Sequence, residues 1–310
     1  MSLHKEIHFE VEIAEYLGQH GWIYAEGVSA QYDRARALFP EDVIAWVQES
    51  QPEAWQALAK GHGLAADERL LERLRQEMDA RGTLDVLRNG IELFPVKSKI
   101  ALAQFKPASG VNPAILTRYT ANRLRVVRQV KYSESNENCL DLGFFLNGLP
   151  VATVELKSDF TQSGNDAVDQ YRFDRHPQPK GQKAEPLLSF PGGALVHFAV
   201  SNSEAMMTTR LAGPATKFLP FNKGDHGAAG NPPSDSGHRT SYLWEEVWER
   251  ESFLDILGRY LVTEKDDKKK LKRYLFPRYH QLDATRKPDA VRTRLDGCDD
   301  EDRRLSVQSE

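Results

Sequence analysis

The stretch from Asn138 to Lys157, NCLDLGFFLNGLPVATVELK, reads as two strands joined by a tight turn. Leu140 to Leu146 and Val151 to Leu156 are rich in β-branched, aromatic and aliphatic residues. Asn147-Gly148 between them supplies the positive φ a hairpin turn needs. Side chains alternate faces along a strand, and directly opposed residues share a face. A strict two-residue turn therefore pairs Asp141 with Val154 and sends Glu155 to the opposite face. A three-residue Asn147-Gly148-Leu149 loop, or one bulge, instead pairs Asp141 with Glu155 and puts Lys157 on the same face. The second register is the one expected, because it alone brings the charged residues together.

Such a trio suits metal-assisted hydrolysis of a phosphodiester. Asp141 and Glu155 offer hard oxygen ligands for Mg²⁺, which keeps several waters and is commonly held by one or two carboxylates plus substrate phosphate. The backbone carbonyl of Leu156 can complete the protein's share. Lys157 then positions the attacking water or stabilises charge developing on the phosphate. The opposing reading is a solvated cross-strand ion pair, since acid and acid-x-lysine patterns arise often by chance. Placement favours chemistry: Val154 and Leu156 flank Glu155, and burying charge for structure alone is costly.

The hairpin resembles the PD-(D/E)xK nuclease motif of the R subunit (HsdR) of type I restriction enzymes, and the resemblance continues downstream. The run Asp166-Ala-Val-Asp-Gln170-Tyr171-Arg172 is similar to the helix that follows the motif in that family, where a glutamine and a tyrosine one helical turn later support the site. Pro214 to Pro233, Thr240 to Leu261 and Phe276 to Lys287 resemble it too, the last looking like the start of the helicase motor with its adenine-recognition glutamine. The resemblance covers roughly Glu6 to Lys287. Two departures stand out. Leu140 replaces the proline before Asp141, and the position four after Gln170 is Asp174, with Tyr171 immediately next to the glutamine. Gln170 either reaches the catalytic face, as in the family, or caps a solvated helix. An early helix often contributes an acid in such nucleases, which makes Glu10 a further candidate beside Tyr171.

What the resemblance implies is an α/β fold, a mixed β-sheet flanked by helices with a restriction-endonuclease-like core. It also implies Mg²⁺-dependent endonuclease action on unmodified foreign double-stranded DNA after ATP-driven translocation. Methyltransferase (M) and specificity (S) subunits would be partners, in the cytoplasm. No G-x-x-x-x-G-K-[ST] phosphate loop occurs in the 310 residues, so ATP is expected to act only through a motor that this chain does not carry. The tail after Lys287, acidic with interspersed arginines, is expected to be disordered, as in a truncated or frame-shifted R subunit. The organisation expected is a helical part over 1–120 packed on the nuclease core, the core over 121–262, a linker and helicase-like start over 263–287, and the tail over 288–310. The alternatives are a PD-(D/E)xK nuclease of another repair or restriction system, or a non-catalytic docking module.

Composition agrees with a soluble protein. With 40% hydrophobic and 28% charged residues the chain can bury a sizeable core, and no run of about 18 apolar residues is present. Cys139 and Cys298 are far apart and lack metal-ligand companions, which argues against a disulfide framework or a zinc site; Cys139 is expected to be a core thiol. A net charge of -4 suits DNA delivered by partners rather than a free-standing DNA-binding module. A local exception runs from Arg118 to Lys131, where Arg118, Arg123, Arg125, Arg128 and Lys131 occur without an acid on a predicted strand. They either track a phosphate backbone or form a solvated strand face.

Helical spacing marks three early segments. Ile7, Val11, Ala14, Tyr16 and Leu17 form a stripe ending at Gly18 to Gly21, with Glu10 and Glu15 on the other side. Patterns over Val43 to Leu58 and Asp67 to Met78 follow. Ala194 to Val200 reads as a buried strand with Met206 to Arg210 as partner, and Gly224 to Gly237 as an exposed loop. Ser252-x-x-Asp255 has the form of a capping box that starts a helix.

Overall fold

The hairpin lies at the centre of a six-stranded sheet in the computed structural model, which describes residues 2–107, 112–158, 164–225, 227–234 and 237–286. The strands follow chain order: β1 (Leu124–Lys131), β2 (Cys139–Leu146), β3 (Leu149–Lys157), β4 (Val196–Ser201), β5 (Ala205–Thr208) and β6 (Leu219–Pro220). β3 and β4 run parallel and all other neighbours antiparallel, so the sheet is mixed. A parallel pair needs a crossover, and the chain between β3 and β4 includes the helix Gly164–Asp169.

Both faces of the central strands are covered, which is why β2, β3 and β4 read as nearly continuous apolar runs. On one face Leu142, Phe144, Val154, Leu156 and Phe198 pack with Phe9, Ile13, Trp22 and Trp248. Phe144 is wholly buried, with its ring 5.0 Å from those of Trp22 and Trp248. On the other face Val127, Phe145 and Ala199 pack with Tyr32, Phe39, Ala167, Val168 and Tyr171.

The helices preceding the sheet are α1 (Ser2–Gln19), α2 (Pro40–Ser50), α3 (Pro52–His62), α4 (Ala66–Arg81), α5 (Thr83–Asn89) and α6 (Pro113–Thr120). Three readings change here. α1 buries Phe9, Glu10, Ile13, Ala14 and Leu17 while Ile7 is 40% exposed, so Glu10 faces the sheet instead of solvent. The segment carries two overlapping apolar stripes, and packing against β1 and β3 selects the one containing Phe9 and Ile13. The pattern over Val43 to Leu58 is two helices broken at Pro52, whose ring removes a donor and excludes the helical conformation at Gln51 (φ -145°). Arg118 belongs to α6, not to the strand.

In the crossover between β3 and β4, α7 (Gly164–Asp169) leads into a π turn over Gln170–Asp174, and after the sheet α8 (Arg250–Asp255) leads into another over Ile256–Tyr260. The cap of α8 is Glu249, whose carboxylate accepts from Ser252 N at 2.9 Å, so Ser252 lies inside the first turn and does not cap it. The loop around Gly224 to Gly237 is anchored by buried Asn231, which donates to Ser203 O and accepts from Lys223 N. The stretch read as linker carries a hairpin of β7 (Val262–Lys265) and β8 (Leu271–Leu275), and Tyr274, Phe276, Tyr279 and Leu282 enter the main core. The tail from 287 onward and Cys298 lie outside the described residues.

Candidate active site

The turn between β2 and β3 is Asn147-Gly148, with φ of 49° and 84°. Two consecutive positive φ values match the twist of the flanking strands. Asn147 is fully buried and satisfied: it donates to Leu102 O and Asn122 Oδ1 and accepts from Arg123 N at 2.7 Å. Gly148 leaves no room for a side chain, since a Cβ there would lie 2.5 Å from Phe39 O. Leu146 pairs with Leu149 and Phe145 with Pro150, after which the register shifts and Phe144 pairs with Ala152 and Leu142 with Val154. Val151 is thus the extra residue of a bulge in β3. One step beyond Leu142, the same register sets Asp141 opposite Glu155. The turn keeps two residues, and the bulge supplies the shift that the pattern of acids required.

Asp141 and Glu155 sit in different surroundings. Glu155 is fully buried; its Oε1 accepts from Arg175 Nε at 2.6 Å and its Oε2 has no partner. Burial pushes its carboxyl well above the usual carboxylate range, and the charge of Asp141 pushes in the same direction, against the opposing pull of Arg175. Asp141 accepts from Leu156 N at 2.7 Å through Oδ2, so Leu156 enters the site through its backbone while its side chain fills the core. Lys157, two positions along β3 from Glu155, brings its Nζ to 3.5 Å from Glu6 Oε2 on α1. Both side chains are largely buried.

Glu10 approaches from the same helix. Gln129 Nε2 donates to its Oε1 at 2.8 Å, and Arg128 Nε lies 3.5 Å from its Oε2. Burial, with a smaller contribution from the charge of Asp141, raises its carboxyl to about 7. Gln129 adopts φ 51°, uncommon for a side chain of its size, and its Oε1 accepts from Cys139 Sγ at 2.9 Å. Cys139 is accordingly half-buried and hydrogen-bonded at the edge of the site, not a core thiol, because it ends the apolar part of β2.

Gln170 opens the π turn and lines a cavity of about 330 Å³ with Lys157, Asp166, Asp169, Phe173 and Asp174; its Oε1 is buried without a partner. Tyr171 points elsewhere. It is wholly buried, and its hydroxyl meets Thr153 Oγ1 at 2.7 Å, which in turn meets His197 Nδ1 at 2.7 Å. Burial lowers His197 to about 3, so it is neutral, and raises Tyr171 well above its ordinary value. Tyr171 is therefore a strut between helix and sheet. Arg175, Glu6 and Gln129 were not singled out in the sequence; the left-handed conformation of Gln129 and the pairing of Arg175 follow from the assembled sheet.

The basic stripe is not a free cationic track. Arg125 is buried and grips Asp42 of α2 through Nε at 2.5 Å and Nη2 at 2.8 Å. Arg123 contacts Asp42 and Glu49, Arg128 contacts Glu10, and Lys131 bonds Glu137 on the surface. The acids that meet the three arginines come from elements remote in sequence, which is why the stretch looked uncompensated.

The donor set bears on a divalent ion in two ways. Two opposed carboxylates, one with a buried unpaired oxygen, fit a hard cation that takes its remaining ligands from water, backbone and substrate. Among the described residues no group of three or more His, Cys, Asp or Glu side chains gathers closely enough to hold a metal by itself. Residues 9–216, more than half of the chain, match the family model for the type I restriction enzyme R protein N terminus. The chain belongs to this family. No curated protein gives a significant match. The match takes in α7 and strands β1 to β5, the hairpin included. Among the described residues no helix of this R-protein domain is long and apolar enough to cross a membrane.

Proposed function

We propose that this R-protein domain is the DNA-cutting part of a type I restriction complex, hydrolysing phosphodiester bonds of unmodified DNA with Mg²⁺ at Asp141 and Glu155. The observation that carries the reading is the bulge-set register, which faces Asp141 toward Glu155 and leaves a buried carboxylate oxygen unpaired. Asp141, Glu155 and the Leu156 carbonyl would hold the ion. When bound, it would polarise the scissile phosphoryl group and lower the pKa of a coordinated water. The rest of the work falls to the chain's own residues. Lys157 orients the water or steadies charge on the phosphate, with Glu6 holding its ammonium at the end of β3. Gln170 lines the same cavity as Lys157, with its amide oxygen buried and unpartnered. The M and S subunits would supply methylation status and sequence recognition, and ATP would act through the translocation motor of the complex.

The ion pairs Glu155–Arg175 and Lys157–Glu6 favour a second reading, a docking module whose charges are structural. One experiment separates the two. In a restriction complex whose R protein carries this domain together with a translocation motor, Lys157→Ala is expected to lower double-strand cleavage at least ~10²-fold while ATP-driven translocation continues. Cleavage at the wild-type rate would remove Lys157 from the chemistry and leave the docking module standing.

A further inference from the structure

Arg175 has no place in the pattern that led to the site, yet it makes the shortest polar contact that the wholly buried Glu155 has, 2.6 Å between Nε and Oε1. The turn that carries it is clamped to the sheet twice. Tyr171 bonds Thr153, and Arg175, four residues later, bonds Glu155, two positions further along β3. Four helical residues advance about 6 Å and two strand residues about 6.6 Å, so the two contacts are commensurate. Arg175 N also donates to Gln170 O at 3.0 Å, closing the π turn that starts at the cavity-lining glutamine. The guanidinium cannot leave Glu155 without loosening the segment that holds Gln170.

Resting on the reading of Asp141 and Glu155 as metal ligands, we propose that Arg175 is a positioning residue. By holding Oε1 it fixes the Glu155 carboxylate so that the unpaired, buried Oε2 is the oxygen offered to the divalent ion. Ligating carboxylates are commonly oriented by a hydrogen bond to the oxygen that does not bind. A guanidinium that merely neutralised the acids would compete with the ion, and its removal would tighten binding. A guanidinium that orients Glu155 leaves, on removal, a carboxylate free to rotate, and binding weakens.

The test is Mn²⁺ affinity of the 310-residue chain, followed by electron paramagnetic resonance, for wild type, Arg175→Met, Arg175→Lys and Asp141→Asn, with circular dichroism and thermal melts reporting the fold. Arg175→Met is expected to bind Mn²⁺ roughly 10–100-fold more weakly. Arg175→Lys, which keeps the charge but not the planar donor, should fall between it and wild type. Equal or tighter binding by Arg175→Met overturns the proposal. Should that variant fail to fold, wild-type affinity in Arg175→Lys overturns it equally. A wild-type chain that binds no Mn²⁺, or an Asp141→Asn chain that binds it undiminished, instead removes the metal-site reading itself.

Discussion

Replacing Glu10 by glutamine is expected to stabilise the protein at neutral and alkaline pH and to do little in acid. Glu10 is 2% exposed, and its carboxyl is raised from 4.5 to about 7 chiefly by burial. Between those two values the folded protein holds a proton that the unfolded chain has released. Stability attached to this group is therefore complete below pH 4.5, falls as pH rises toward 7 and is lost above it. Each pH unit across that window is worth about 1.4 kcal/mol, so the ionised group costs the fold about 3 kcal/mol at pH 8 and about 1 kcal/mol at pH 5. The amide introduced by Glu10→Gln never ionises and keeps an acceptor for Gln129 Nε2. For a chain of this size about 3 kcal/mol corresponds to roughly 6–12 °C in melting temperature. The assay is a set of melts of wild type and variant from about pH 5 to 8 with chelator present, which keeps divalent ions out of the comparison. The other titrating groups are shared and cancel in the difference. A difference that does not change with pH, or one that favours wild type at pH 8, would mean that Arg128 holds Glu10 ionised, and would refute the reasoning.

Asp42→Ala leaves Arg125 buried without its partner and is expected to destabilise by about 3–5 kcal/mol in urea melts, whereas the double change to Asp42→Leu and Arg125→Met recovers most of the loss. Because Arg125 is committed to Asp42, Arg125→Met should also leave unchanged the slope of DNA affinity against salt, which a phosphate contact would lower by about one. Gly148→Ala forces a side chain into φ 84° and against Phe39 O, and a loss of about 1–3 kcal/mol is expected in thermal melts; wild-type stability would show that the turn can re-form.

Much of this domain was written locally. Alternation of apolar residues, Asn147-Gly148 between them and the demand that the acids share a face led to the hairpin and its shift of register, because turn chemistry and strand period act over a few residues. The strand at Val196–Ser201, its partner at Ala205–Thr208 and helix α4 were legible for the same reason. Legibility failed where a local pattern had two solutions or a partner lay far away. α1 could bury either of two stripes, and only the sheet decided that Glu10 turns inward. Arg125 looked free until Asp42, 83 residues earlier, was brought beneath it, and Glu10 meets Gln129 across 119 residues. Within the site, the sequence alone placed Asp141, Glu155 and Lys157 on one hairpin. The tertiary structure decided their counter-charges, Arg175 for Glu155 and Glu6 for Lys157, because a buried ion pair is set by which elements pack together and not by the strand that carries it.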